Sequence, residues 1–171
     1  ADILVATMDA TVCIKLVGKA NFASSVDFKR LVKEMDGQGM KRFIVDLSGC
    51  QNMDSTFLGM LAGLGRRLSS ETLPSEQRPI ELLNATERVT DLIDNLGVSE
   101  LFHLVQCDEG EKVAYTESFE SGDETSKLDM SRNCLEAHQI LMDLNPENIA
   151  KFKDVAKYFA EEVKKGEADG Q

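Results

Sequence analysis

The sequence has no tryptophan, three prolines and two histidines in 171 residues. His103 and His138 stand far apart, so they offer no acid–base pair at a helical or strand spacing. His138 falls on an apolar helical face and reads as a packed core or interface residue. Motifs that cradle phosphate or present a nucleophile are also missing: there is no G-x-x-x-x-G-K-[ST], no G-x-G-x-x-G and no G-x-S-x-G. No enzyme activity and no cofactor are expected. The four cysteines, Cys13, Cys50, Cys107 and Cys134, are scattered without a C-x-x-C pair, which argues against a zinc site or a disulfide framework. They read as reduced, mostly buried thiols of a cytosolic protein. No apolar run approaches the roughly 20 residues that cross a bilayer. The opening, Ala1-Asp2-Ile3-Leu4, lacks the basic start of a signal peptide, so a soluble cytoplasmic chain is expected.

Positive charge is scarce as well. Against 30 acidic residues stand 19 lysines and arginines, a net charge of −11. Residues 1–105 carry 11 basic and 14 acidic side chains, a balance of −3, and residues 106–171 carry 8 and 16, a balance of −8. The acidity is concentrated in the tail. Such a field repels a nucleic-acid backbone and an anionic membrane surface, so neither is expected as a partner.

What is present is enough apolar residue, 42%, to bury a core. Ile3–Met8 and Thr11–Val17 read as a β-hairpin turning at Asp9-Ala10, with Gly18 ending the second strand. Ser24 and Ser25 offer N-caps for a helix that carries Phe28, Leu31, Val32 and Met35 on one face and stops near Gly37. Phe43–Leu47 reads as a buried strand, followed by a Ser48–Asn52 turn and a helix with Phe57, Leu58, Leu61, Leu64 and Leu68 inward. Gly59, Gly63 and Gly65 within that helix suggest close packing against the sheet. Pro74 and Pro79 bracket a loop before the strand Ile80–Leu83. Asn84-Ala85-Thr86-Glu87 looks like a capping box with Asn84 in the cap position. The helix it opens closes at Gly97, and Leu101–Val105 forms a last strand.

The order is therefore ββαβαβαβ, an α/β fold with a mostly parallel sheet and the first strand antiparallel. Residues 1–105 are expected to close their own core and fold alone. Residues 106–125 read as an acidic linker. Residues 126–171 read as a helical hairpin. Its first helix places Cys134, Leu135, His138, Leu141 and Met142 on one face. Its second starts at Asn145-Pro146-Glu147 and is expected to bury Ile149, Phe152, Val155, Ala156, Phe159 and Val163, fraying from Gly166. The apolar face of this hairpin is expected to dock on the first domain or on a second copy, giving a homodimer.

One segment has chemical potential: Met53-Asp54-Ser55-Thr56, at the start of a helix beyond the carboxyl end of a buried strand. The plain reading makes Asp54 or Ser55 an N-cap. A helix needs only one cap, however, which leaves a spare hydroxyl beside free N–H donors and the positive end of the helix dipole, where α/β ligand sites collect.

The line Asp46-Leu47-Ser48, then Met53-Asp54-Ser55-Thr56-Phe57-Leu58-Gly59, resembles the STAS domain family of bacterial anti-sigma factor antagonists, whose pattern is D-L-S, a short loop and M-D-S-[ST]-G-[LIV]-G. Leu16-Val17-Gly18-Lys19-Ala20-Asn21 is similar to the family's L-x-G-x-L-D element, and Glu87 to Phe102 to its last helix and strand. Asn21 stands for the usual Asp and Phe57 for the usual Gly. The resemblance covers residues 1–105. It implies a phospho-regulated protein-interaction module acting in transcription control, with an anti-sigma factor or related serine kinase as partner. It implies phosphorylation at Ser55 and partner contacts from Asn21, Asp54, Ser55 and Thr56. The alternative is a small-ligand sensor for a nucleotide or lipid.

Overall fold

The computed structural model describes residues 2–71, 80–106, 115, 117–119 and 126–169. The loop read between Pro74 and Pro79, most of the 106–125 linker and Cys107 lie outside the described residues. The chain opens with β1 (Asp2–Met8) and β2 (Thr11–Ala20), an antiparallel hairpin that turns at Asp9 with φ 54°. Then come α1 (Phe22–Gly37), β3 (Arg42–Met53), α2 (Ser55–Glu71), β4 (Ile80–Leu83), α3 (Glu87–Asn95), a short 3-10 turn (Ser99–Leu101) and β5 (Phe102–Val105). A three-residue strand, β6 (Glu117–Phe119), precedes the two final helices, α4 (Lys127–Leu144) and α5 (Glu147–Ala168).

The sheet order is β5-β4-β3-β2-β1-β6. The pairs β2·β3, β3·β4 and β4·β5 are parallel, as the alternation of strands and helices requires, and β1 is antiparallel. Three expectations change here. The linker contributes a strand, because β6 pairs antiparallel with the outer edge of β1. Gly18 does not end β2: at φ 101° it sits beside a register shift, and the strand continues to Ala20. Ser48–Asn52 is not a turn, since the lengthened β2 gives β3 a partner as far as Met53.

Helix starts differ from the sequence reading for a common reason. The cap of α1 is Asn21, not Ser24 or Ser25: its Oδ1 accepts from the N–H groups of Ala23 and Ser24, and Ser24 Oγ accepts from the Asn21 N–H. The cap of α3 is Thr86, whose hydroxyl accepts from Val89 N–H, while Asn84 takes a left-handed turn conformation at φ 55°. In each case a neighbouring polar residue with the right backbone conformation took the role.

The core lies between sheet and helices and is apolar. Phe28, Phe43, Phe57 and Phe102 are fully buried, with Ile14, Leu16, Leu47, Leu61 and Ile80 around them. The hairpin joins this core. Leu141 of α4 belongs to it, and Ile140, Leu144 and Phe152 pack against it. The core of residues 1–105 is thus shared with the tail. Burial of each large side chain contributes roughly 1.5–3 kcal/mol, which helices of this length need.

The hairpin folds differently in detail from its pattern. Ile149 and Val155 remain 49% and 37% exposed, so α5 buries a narrower stripe, chiefly Ala156 with Phe152, Phe159 and Val163 half-buried. Gly166 is not frayed: it sits so close to Leu128 that an added Cβ would approach Leu128 Cδ1 to 2.7 Å, and Glu167 pairs with Arg132. Asn148, fully buried, donates to the carbonyls of Leu96 and Leu141 and so ties the hairpin to the end of α3.

Gly59 and Gly63 face α4, not the sheet. A Cβ on Gly59 would lie 2.5 Å from the carbonyl oxygen of Ala137, and one on Gly63 2.8 Å from Ile140 Cδ1. Only Gly65 faces the sheet side, near Leu101 and Ile80. Alanine at Gly59 gains about 1 kcal/mol of helix propensity. It meets backbone that cannot swing aside, an overpacking cost of roughly 1–3 kcal/mol. Gly59→Ala is therefore expected to lower the denaturation midpoint of the full chain. Gly37→Ala, with nothing within 4 Å, is expected to leave it unchanged or raise it. Urea titration of the two variants beside the parent checks the contrast.

Candidate functional site

The site forms where the carboxyl ends of β2 and β3 hand over to α1 and α2. Asp54 N–H donates to Ala20 O at 2.9 Å, closing the last step of the β2·β3 pair. The Asp54 carboxylate then serves two helix starts. Oδ1 accepts from Phe57 N–H at 2.9 Å and caps α2, and Oδ2 accepts from Phe22 N–H at 2.7 Å at the start of α1. Burial pushes the Asp54 carboxyl above its ordinary range, opposed by these N–H donors and by His138 nearby. The capping expected of Asp54 or Ser55 falls to Asp54, and the Ser55 hydroxyl is spare.

Of the four residues expected at the site, the fold brings Asn21, Asp54, Ser55 and Thr56 to one end of the sheet, joined through the Asp54–Phe22 bond. Asn21 spends its side chain on capping α1. Thr56 is buried, its hydroxyl 3.6 Å from Cys134 Sγ. Phe57 points into the core, its ring centroid 4.9 Å from that of Phe28, so it adds no bulk at the surface beside Ser55.

His138 is the residue whose role the sequence did not disclose. Ser55 Oγ lies 2.8 Å from His138 Nε2, and His138 Nδ1 lies 2.7 Å from Cys134 O. A carbonyl oxygen can only accept, so Nδ1 carries the proton in the neutral ring. Nε2 is then the acceptor, and the Ser55 hydroxyl donates to it. The imidazole is 4% exposed and packs against Phe152 and Phe159, with centroids at 4.9 and 6.5 Å. Burial pushes its pKa below the ordinary histidine value, with Cys134 O and Asp54 opposing. The expectation of a packed interface residue holds. Its bond to Ser55 spans 83 positions, a pairing that local spacing cannot reveal. Nearby, Asn133 Nδ2 donates to Ser25 Oγ at 2.6 Å.

Among the described residues no group of histidine, cysteine and acidic side chains is arranged to hold a metal ion. None of their helices is long and apolar enough to cross a membrane. A cleft of about 670 Å³ opens between α1, α2 and α4, floored by Phe28, Val32, Met60 and Leu64 and rimmed by Lys29, Lys33, Arg66 and Arg67.

The direction of the His138 shift gives a pH dependence. A histidine whose folded pKa lies below its unfolded value of about 6.5 contributes stability that is present above pH 6.5. That stability is lost as pH falls through 6.5 toward the folded value. The raised Asp54 acts in the opposite sense, but from the carboxylate range upward, so the His138 effect governs the interval just below neutrality. Stability is expected to fall between pH 7.5 and 5.5 in the parent and to fall less in His138→Gln. Denaturation curves of both across that interval measure the difference.

A family model described as "Mlab, STAS domain" matches residues 3–106. Among solved structures, a Thermotoga maritima protein described as "a putative anti-sigma factor antagonist" aligns with TM-score 0.53 and 18% identity, over 64% of this chain and 89% of that one. The anti-sigma factor antagonist SpoIIAA in its unphosphorylated form aligns with TM-score 0.50 and 20% identity, over 64% and 92%. The Bacillus cell fate determinant SpoIIAA in its phosphorylated form gives 0.50 and 20%, over 64% and 94%. No curated protein matches the sequence. The α/β sheet, its strand order and the matched span agree: the chain belongs to the STAS domain family.

Proposed function

We propose that this protein is a phospho-regulated interaction module of the anti-sigma factor antagonist type, in which serine phosphorylation at Ser55 switches partner binding. The observation that carries the reading is the spare hydroxyl. Asp54 alone caps α2, so Ser55 has no structural duty in its own domain and sits half-buried at the helix start. SpoIIAA, which shares the fold, is described in both phosphorylated and unphosphorylated forms. A phosphate here adds about −1.5 to −2 charges beside Asp54 and repels an acidic or close-packed partner surface. The partner is an anti-sigma factor or related serine kinase in a cytoplasmic setting, and the partner-facing residues are Asn21, Asp54, Ser55 and Thr56. In this reading residues 1–105 are the STAS unit and residues 126–171 a hairpin extension.

An interaction role also fits the Ser55–His138 pair better than catalysis does. A hydroxyl on an imidazole nitrogen has the form of a nucleophile and its base. Here, however, the imidazole is sealed behind Phe152 and Phe159 and leaves no room for a substrate. A homodimer through the hairpin would use the strip of α5 that docking on the first domain leaves uncovered, Ile149, Val155 and Tyr158.

Small-ligand sensing has the cleft between α1, α2 and α4 in its favour. Its apolar floor suits an amphiphilic ligand, and on its rim Lys29 pairs with Glu136 and Arg67 with Asp36, which leaves the positive balance to Lys33 and Arg66 and favours an anionic head. Such a ligand would raise the melting temperature of the parent and not that of Arg66→Glu.

Ser55→Ala is expected to fold, losing about 1–3 kcal/mol because buried His138 Nε2 is left without its donor. Ser55→Asp is expected to weaken partner binding, and Thr56→Ala to change it less. Phosphorylation by the serine kinase recovered with the protein from its native cell, mapped by mass spectrometry, tests the site. Binding measurements on the three variants accompany it. Phosphate found only elsewhere, with unchanged affinity for Ser55→Asp, would reduce Asp54-Ser55-Thr56 to a helix cap.

A further inference from the structure

The face that carries Ser55 is already occupied. Along α2, the residues Ser55, Thr56, Gly59 and Gly63 meet α4 of the same chain, at His138, Cys134, Ala137 and Ile140 respectively. From α1, Ser25 meets Asn133. The chain thus supplies its own helix to the surface by which a domain of this kind would engage a partner.

The character of this seam differs from that of the core. The buried polar side chains among the described residues are Ser24, Ser25, Thr56, Ser131, Asn133, His138 and Asn148. All lie on the hairpin or in the first turns of α1 and α2; the sheet core contributes none. A seam of hydroxyl, amide and imidazole pairs around one small-residue crossing resembles a separable interface, since contacts that form and part are more polar than a permanent core.

We propose that the α4–α5 hairpin is a cis-bound competitor for the Ser55 face, which must leave before a partner or a kinase can reach Ser55, and which a negative charge on Ser55 expels. The hairpin's own contacts then define the partner. It presents a helix with an alanine-sized residue at the Gly59 crossing and a hydrogen-bonding group opposite Ser55. The expulsion follows from the donor and acceptor roles. The Ser55 hydroxyl donates to His138 Nε2, and a phosphate or carboxylate replaces that donor with an anion facing the lone pair of an imidazole that is itself buried. Burial, which holds His138 neutral, works against the proton that would rescue the contact.

This inference rests on Ser55 being the switch, but its test needs neither kinase nor partner, so the two can fail separately. Cys134 is buried in the seam, while Cys13 and Cys50 are buried in the sheet. Each thiol therefore reports its own region. The full chain and its Ser55→Asp and Gly59→Leu variants are treated with N-ethylmaleimide, and labelling of each cysteine is followed by peptide mass spectrometry. Gly59→Leu wedges the crossing open without placing a charge at Ser55, and keeps the test decisive if Ser55→Asp folds poorly. The expected result is labelling of Cys134 at least about tenfold faster in both variants, with Cys13 and Cys50 as slow as in the parent. Cys134 labelling that is unchanged or slower in Ser55→Asp would mean that His138 takes up a proton and holds the charge, which overturns expulsion. Cys13, Cys50 and Cys134 accelerating together would overturn it as well, because the hairpin would then leave only when the whole domain unfolds.

Discussion

The arrangement depends on one carboxylate. Asp54 uses both oxygens, one on the Phe57 N–H of α2 and one on the Phe22 N–H of α1, while its own N–H closes the strand pairing at Ala20. Two helix starts and the end of a parallel strand pair are thereby fixed to a single side chain. Each of those helix starts carries N–H groups that need a partner. An asparagine could not stand in, because one of its two arms would turn a donor toward a donor. Once Asp54 is committed in this way, Ser55 falls at the first position of α2 with its hydroxyl not needed for the cap and available to His138. The chemistry of the site follows from that geometry more than from any property of serine.

Two kinds of cohesion then hold the chain. Between sheet and helices it is apolar burial, non-directional and tolerant of repacking, anchored by four phenylalanines. At the hairpin seam, directional pairs matter: Ser55 with His138, Ser25 with Asn133, and Asn148 with the carbonyls of Leu96 and Leu141. A hydrogen bond contributes little net stability when made, yet leaving a buried partner unpaired costs more. Such a seam is specific about register and sensitive to a single change of donor into acceptor. The apolar contacts of Leu141 and Phe152 hold the hairpin near, and the polar ones decide whether it sits.

Much of this was legible in the sequence. Strand–helix alternation gives the parallel order, and Phe57, Leu58, Leu61, Leu64 and Leu68 mark the inward face of α2 by period alone. What stayed hidden shares one physical cause, dependence on residues distant in sequence. β6 is a strand because the edge of β1 lacks a partner, and nothing in Glu117–Phe119 itself announces pairing. The cap of α1 is settled by the backbone conformation of Asn21, with Ser24 answering from three residues on. Ile149 and Val155 carry an apolar pattern yet stay exposed, because α5 packs through the narrower stripe of Phe152, Ala156, Phe159 and Val163. His138 was recognisable as an interface residue, though its partner was not.

The departures from the family pattern make sense together. Helix α2 has two working faces. Phe57, Leu61, Leu64 and Leu68 are spaced to face the core, and Phe57 meets Phe28 there. Ser55, Thr56, Gly59 and Gly63 lie on the seam side and are all small, which lets the backbone of α4 approach until no room remains for a Cβ at Gly59. Bulk at position 57 therefore does not alter the surface that a partner would meet, because it is added to the inward face. The outward face keeps the small residues that any docked helix requires. In this chain the helix that uses them is its own.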